Sequence, residues 1–356
     1  MVNQIRIEKT KSPKNKPNQS KLGFGKYFTD HMFVMEYSTE KGWYDPKIVP
    51  YGPLALDPST MVFHYGQAVF EGLKAYRAKD GRILLFRPFK NMERINISNE
   101  RLCIPPIDVD FIVDTIKTLV KLEEDWIPTE EGTSLYIRPF IISTDQYLGV
   151  KPSSTYKFIV ILSPVGAYYP EGINPVKIYI EDMYVRAVKG GIGYAKTPGN
   201  YAASLKAQVD ASKKGYTQVL WLDGVDKKYI EEVGTMNVMF KINGEVVTPS
   251  LEGSILAGVT RDSAIQLLKS WNIKVAERKI SIQEIYDAHA AGTLEEAFGT
   301  GTAAVISPIG ELNWDGKIIT INNGVTGETA QTLYDGITGI QSGKIEDAFG
   351  WTVEVK

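Results

Sequence analysis

Along the 356 residues the spacing of apolar positions changes several times, and each change marks an element. From Phe24 to Tyr37 apolar and polar residues alternate, which predicts the first strand. Gly42 to Asp57 carries Pro46, Pro50 and Pro53, with Pro58 just beyond, and reads as turn-rich. Asp80-Gly81 is a hairpin tip from which Arg82 to Phe86 returns as a strand. Pro88 opens a helix over Phe89 to Cys103, and residues 109–124 place Phe111, Ile112, Ile116, Leu119 and Val120 on one stripe of a second. Ser134 to Ser143 and Tyr156 to Pro164 predict two further strands. The period of two puts Tyr136 and Arg138 on one face of the first.

Beyond the Pro- and Gly-rich stretch Val165 to Pro175 the pattern resumes with a strand at Val176 to Glu181, a helix at Tyr201 to Gly215 and a buried strand at Thr217 to Leu222. Tyr229 to Phe240 reads as one strand ending in an Asn243-Gly244 hairpin, and helices are expected from Gly258 to Trp271 and from Gly327 to Ile340. A chain this long exceeds what one core organises, so two domains are expected. Residues 1–21 form a loose tail, 22–164 the smaller domain, 165–175 a linker and 176–356 the larger domain.

Composition narrows the partners. With 43% hydrophobic and 23% charged residues and a formal charge of −2, the chain lacks the concentrated basic face that nucleic acid or an anionic membrane rewards, so a small-molecule partner is expected. No apolar run reaches the about 18 residues of a membrane span. The first twenty residues lack the apolar core of a secretory signal, which with a single cysteine fits the cytoplasm. That residue, Cys103, lies in the apolar run Leu102 to Ile104 and is expected to be a buried, inert thiol. His31, His64 and His289 have no ligand spacing, and no metal is expected.

The chemistry is expected in VKGGIGYAKTPGNY, Val188 to Tyr201, where glycines precede Lys196 and Pro198-Gly199 follows it. Tyr194, Ala195 and Tyr201 offer a desolvating pocket that favours a neutral, nucleophilic amine. Glu231 and Glu232 are adjacent on a predicted strand, so one of them points inward and needs a partner. The helix start at Gly258-Val259-Thr260 and the turn in FGTGTAAV, residues 298–305, offer backbone N–H groups to an anion. Arg94 either pairs with Glu93 or Glu100 on its helix surface or meets an anion. A reactive lysine, an inward acid, two anion sites and an arginine are what a pyridoxal phosphate enzyme requires.

Those residues sit in motifs with a family resemblance. FGKYFTDHM, HYGQAVFEGLKAYR, LFRPFKNMERI, SLYIRPF, VGAYYPEG, VRAVKGGIGYAKTPGNYA, EEVGTMNVMF, LAGVTRDS and FGTGTAAV run in order from Phe24 to the end. The chain resembles the branched-chain amino acid aminotransferases of pyridoxal phosphate fold type IV, in the larger subgroup that includes the animal enzymes. The resemblance implies a two-domain fold mixing α+β and α/β character, with the cofactor between the domains, in a homodimer. It makes Lys196 the Schiff-base lysine and proton shuttle, Glu232 the partner of the ring nitrogen, and Tyr201 a donor near the phenolic oxygen. Phosphate falls to Arg94, Val259, Thr260 and Thr302, with Arg186 supporting the site.

For the substrate, the same resemblance implies that Thr302 and Ala303 meet the α-carboxylate and that Tyr65 reaches across from a second subunit. Phe24, Tyr136, Tyr168 and Thr235 line the side-chain pocket, and Arg138 captures the distal carboxylate of glutamate or 2-oxoglutarate. One pocket must hold an isobutyl group and also a carboxylate, which calls for an arginine beside aromatic walls. Some family members carry Cys-x-x-Cys after the FGTGTA turn; Ala304 and Ser307 stand there here, so no thiol switch is expected. D-amino acid aminotransferases and aminodeoxychorismate lyases share the lysine and glutamate and are the nearest rivals. A non-catalytic phosphate-binding module using Gly190 to Gly193 is a remoter one.

Overall fold

Two long strands rich in β-branched and aromatic residues, Ser134–Ser143 and Thr155–Val165, pair antiparallel along ten residues and form the spine of the first sheet. The computed structural model describes residues 4–166, 168 and 173–356. Its chain divides into two compact units: Met1–Pro170 with Ala195–Pro198 and Ile340–Lys356, and Glu171–Tyr194 with Gly199–Gly339. Much of the stretch 165–175, the expected linker, lies outside the described residues.

In the first unit the nine-stranded sheet runs Arg6–Ile7, Gly42–Pro50, His31–Ser38, Thr155–Val165, Ser134–Ser143, Leu73–Arg77, Ile83–Phe86 and Thr352–Val355, with Ala68–Phe70 also paired to Ser134–Ser143. All pairs are antiparallel except the edge pair between Arg6–Ile7 and Gly42–Pro50. Helices Pro88–Arg101 and Val109–Leu122 bring Ile95, Ile112, Ile116 and Leu119 onto one face of the sheet, against Leu73, Ala75, Leu135 and Ile137. Asp108 caps the second helix by accepting from the Phe111 N–H at 3.0 Å. The opposite face of the central strands therefore carries Tyr136 and Arg138.

Several expectations change here. The first strand starts at His31, because Gly23 and Gly25 take φ of 61° and 69° and turn the chain before it. Gly42–Pro50 is a strand despite its prolines: the register shifts beside Pro46, where Asp45 takes φ 51°, and this bulge accommodates a residue without an N–H. The tail is tied down rather than loose, since Arg6–Ile7 joins the sheet. Beyond it the Thr10 N–H donates to His31 Nε2 and the Lys14 N–H to Asp30 Oδ1, both at 2.8 Å. Cys103 is exposed, because its helix ends at Arg101 and the chain turns at this residue with φ 55°.

The second unit has a mixed nine-stranded sheet ordered Ile230–Val233, Gln218–Leu222, Val176–Glu181, Val305–Trp314, Leu294–Gly301, Asn237–Ile242, Glu245–Thr248 and Val275–Glu277, with Lys317–Thr320 on Val305–Trp314. The single strand expected over 229–240 is two. Gly234 takes φ 56° and breaks it, and the Val233 and Met236 backbones bond to each other across the turn. Pro198–Lys213, Val259–Ser270 and Glu328–Gln341 are helices within a residue or a turn of the expected ranges. No helix among the described residues is long and apolar enough to cross a membrane.

Candidate active site

In the first unit Lys196 is held by its backbone. Its N–H donates to Ser98 Oγ at 2.8 Å, its carbonyl accepts from the Phe70 N–H at 3.0 Å, and the next hydroxyl, Thr197 Oγ1, donates to Ala68 O at 2.8 Å. Strand Ala68–Phe70 and helix Pro88–Arg101 thus fix the residue from two sides. Lys196 Nζ lies 4.7 Å from the centroid of the Phe70 ring, and Arg138 Cζ lies 4.8 Å from the same centroid. Arg138 also sits 5.2 Å over the Tyr136 ring and donates from Nη2 to the Tyr136 hydroxyl at 3.0 Å. Its Nε has no hydrogen-bond partner among the described residues.

Phe24 meets Tyr136 edge-on at 4.9 Å, and Gly72 has no side chain because a Cβ there would run into the Tyr136 hydroxyl. Lys74, opposite Tyr136 in register, is buried, and desolvation lowers its ammonium to about 8. The structure therefore brings together Lys196, Arg138, Tyr136 and Phe24 along one aromatic wall. Tyr65 ends the short helix Met61–Tyr65 and is 40% exposed, and Tyr168 is exposed.

Arg94 is buried and turns away from both acids expected as its surface partners. Nε and Nη2 bind the carboxylate of Glu71 at 2.7 and 2.9 Å, and Asn91 Nδ2 adds a third donor at 2.8 Å. Phe70, Glu71 and Ser98 were not among the expected site residues. The signal for Glu71 was a lone acid inside the apolar run AVFEGL.

In the second unit both acids of EEV are buried, where one was expected to be. Glu232 Oε1 accepts from the Leu256 N–H at 2.8 Å and lies 3.4 Å from Arg186 Nη2. Glu231 accepts from the Ser254 hydroxyl, and Arg186 donates to the Ser254 carbonyl. Gly193 passes so close to Ser254 and Ala187 that any Cβ would collide with them. Asn237 Nδ2 donates to Leu256 O at 2.8 Å, so residues 254–256 are held before they enter helix Val259–Ser270. The N-cap of that helix, Gly258, offers no side-chain acceptor, and Thr260 is buried in its first turn.

Thr302 and Ala303 form the turn between strands Leu294–Gly301 and Val305–Trp314, both half-buried. After it Val305 takes φ 63°, a conformation costing a β-branched residue about 1–3 kcal/mol, which persists only where its surroundings impose it. Tyr201 is half-buried on helix Pro198–Lys213, and Thr235 is exposed in the turn after Glu232. Each unit, taken by itself, carries donors that suit part of pyridoxal phosphate. A buried guanidinium and a helix start without a side-chain cap suit a phosphate, a buried carboxylate suits a ring nitrogen, and a backbone-fixed lysine suits an aldehyde.

The chain belongs to the class IV amino-transferase family, whose model matches residues 68–312. It is 64% identical over 351 residues to branched-chain-amino-acid aminotransferase 2 of Bacillus subtilis (strain 168), covering 99% of this chain and 97% of that protein. To branched-chain-amino-acid transaminase 1 of the same organism it is 60% identical, covering 99% of each. Among solved structures, the Escherichia coli branched-chain amino acid aminotransferase superposes with a TM-score of 0.77 at 28% identity, covering 92% of this chain and 99% of that one. The T.th. branched-chain amino acid aminotransferase with pyridoxamine 5'-phosphate gives 0.76 at 25% identity, covering 91% of this chain and 98% of that one.

Proposed function

We propose that this chain is a branched-chain L-amino acid aminotransferase using pyridoxal 5'-phosphate. It passes the amino group reversibly between leucine, isoleucine or valine and 2-oxoglutarate, giving the branched 2-oxo acid and L-glutamate. The observation that carries the reading is the Phe70 ring, with the Lys196 amine 4.7 Å and the Arg138 guanidinium 4.8 Å from its centroid. An apolar side chain can lie along Phe70, Tyr136 and Phe24 without touching charge, whereas a distal carboxylate can reach Arg138.

When bound, the cofactor supplies an aldehyde that amines can join and a ring that takes up the electron pair left at Cα. Lys196 is the amine that would hold that aldehyde, and its Nζ is the group that would carry the proton to and from the substrate Cα. Glu232, aimed by the Leu256 N–H and Arg186, is the carboxylate that would meet the ring nitrogen and favour its protonated form. Arg94, Val259, Thr260 and Thr302 hold the phosphate, and Tyr201 donates near the phenolic oxygen. Thr302 and Ala303 meet the α-carboxylate, while Tyr168 and Thr235 complete the side-chain pocket. The exposure of Tyr65 supports its contribution to the other subunit of a homodimer, and the cytoplasm is the compartment we assign.

The test is single-turnover absorbance with L-leucine, L-glutamate and D-alanine on wild type and Arg138→Met. The variant keeps the leucine half-reaction within about threefold and loses the glutamate half-reaction on the order of 100-fold, as expected when only one substrate uses the guanidinium. Wild-type activity confined to D-alanine overturns the reading. Equal losses for leucine and glutamate overturn the role of Arg138.

A further inference from the structure

We propose that Glu71 is a positioning residue for the cofactor: it fixes the guanidinium of Arg94 and keeps it in register with Lys196. The proposal rests on the reading that Arg94 meets the phosphate and Lys196 the aldehyde. Glu71 follows strand Ala68–Phe70 and is fully enclosed, at 0% exposure. Arg94 Nε donates to Oε1, and Oε2 accepts from Arg94 Nη2, from Asn91 Nδ2 and from the Gly72 N–H at 3.1 Å. The Glu71 N–H donates to Pro139 O at 2.8 Å, which ties the same strand end to the strand carrying Arg138.

The backbone geometry makes this more than a local ion pair. Lys196 is gripped by the Phe70 N–H, one residue before Glu71, and by Ser98 Oγ, one helical turn after Arg94. Ser98 Oγ in turn donates to Arg94 O at 3.1 Å. The side chain of Glu71 is therefore the strut between the strand end and the helix that together hold Lys196. Aldehyde and phosphate are a fixed distance apart on one rigid small molecule, so amine and guanidinium must be too. A planar guanidinium bound along one edge by a carboxylate presents its opposite edge in a single direction.

Charge alone argues the other way. A carboxylate beside Arg94 weakens the attraction of that cation for a phosphate, so a purely electrostatic role predicts that neutralising Glu71 tightens phosphate binding. Positioning predicts the reverse.

The experiment titrates pyridoxal 5'-phosphate and, separately, pyridoxal into the cofactor-free full chain of wild type, Glu71→Gln, Glu71→Asp and Arg94→Ala, following the absorbance of the bound aldehyde. The dissociation constant of pyridoxal divided by that of pyridoxal 5'-phosphate reads the phosphate contribution alone. In Glu71→Gln that ratio falls roughly 30-fold, the size of one lost charge-assisted hydrogen bond, while pyridoxal binding changes by less than about threefold. An unchanged or increased ratio overturns the proposal, as does equal weakening of both aldehydes, which marks a merely structural role. If Glu71→Gln does not fold, Glu71→Asp decides by the same ratio, since it keeps the charge but withdraws it by one methylene. Arg94→Ala separates the two levels: a wild-type ratio there removes Arg94 from the phosphate, whereas a ratio lost there but kept in both Glu71 variants sinks only the role of Glu71.

Discussion

Glu71 in the first unit and Glu231 in the second are both buried carboxyls beside an arginine, yet their surroundings drive them in opposite directions. Burial is the largest influence on each and pushes both up. At Glu71 the charge and hydrogen bonds of Arg94, the charge of Lys196 and the Asn91 amide together outweigh it and hold the carboxyl below its ordinary range. At Glu231 the Ser254 hydroxyl and the more distant charge of Arg186 do not. Glu232 and Asp223 add repulsion, and the carboxyl stays above its ordinary range. Its Oε2 has no hydrogen-bond partner among the described residues. Two buried carboxyls are thus driven apart, one below its ordinary range and one above it, and the number of donors decides which.

The largest effect that can break this comparison comes from Glu71→Ala. Removing one member of a buried, doubly hydrogen-bonded pair strands the other, and the expected loss is about 3–5 kcal/mol in urea unfolding at pH 7. Because the folded Glu71 holds its proton less tightly than the unfolded chain, its stabilisation is complete above its ordinary value. It fades as pH falls through the lower folded value. The gap between wild type and Glu71→Ala should therefore narrow on acidification. A gap that widens would mean that Glu71 is not the ionised partner.

A smaller effect follows from Ser98→Ala. The Ser98 hydroxyl is enclosed and is the acceptor for the Lys196 N–H, so its loss leaves that donor buried and costs about 1–3 kcal/mol. Amide hydrogen exchange at Lys196 should accelerate more than exchange at the centre of strand Ser134–Ser143. Unchanged protection at Lys196 would detach Ser98 from the cluster that Glu71 braces and leave Glu71 as an isolated ion pair.

How far these clusters could be read from sequence depends on whether their signals are local. Ser134–Ser143 and Val176–Glu181 have the predicted bounds because their apolar runs carry their own evidence. Lys196 stands out through the glycines before it and the Pro-Gly pair after it, and the adjacent acids at 231 and 232 through their place in a strand. The partner of Arg94 was hidden because Glu71 is 23 positions away, while Glu93 and Glu100 sit at misleading helical spacing. Strand Gly42–Pro50 was masked by prolines that a bulge absorbs, and the break at Gly234 by apolar residues on both sides of it. Nothing local in residues 352–355 announces that they pair with Ile83–Phe86 in the first unit's sheet. Such pairings belong to the tertiary fold, where side chains far apart in sequence settle each other's charge.

The smallest expected change is also the sharpest, because removing the titratable group should have opposite signs at the two acids. Glu231→Gln keeps the shape, and its carbonyl can still accept from the Ser254 hydroxyl as Oε1 does now. The folded protein retains the Glu231 proton after the unfolded chain has released its own, so wild-type stability declines as pH rises from the ordinary glutamate value to the raised folded value, then levels. Glutamine has no proton to lose and escapes that decline. At pH 4 the variant should match wild type. Towards pH 8 it should be slightly more stable, by up to about 1 kcal/mol once the repulsion from Glu232 is removed. Thermal melting of both proteins between those limits reads the difference directly. If the advantage of Glu231→Gln shrinks with rising pH, or becomes a loss, then the folded Glu231 value is not raised and the contrast between the two carboxyls fails.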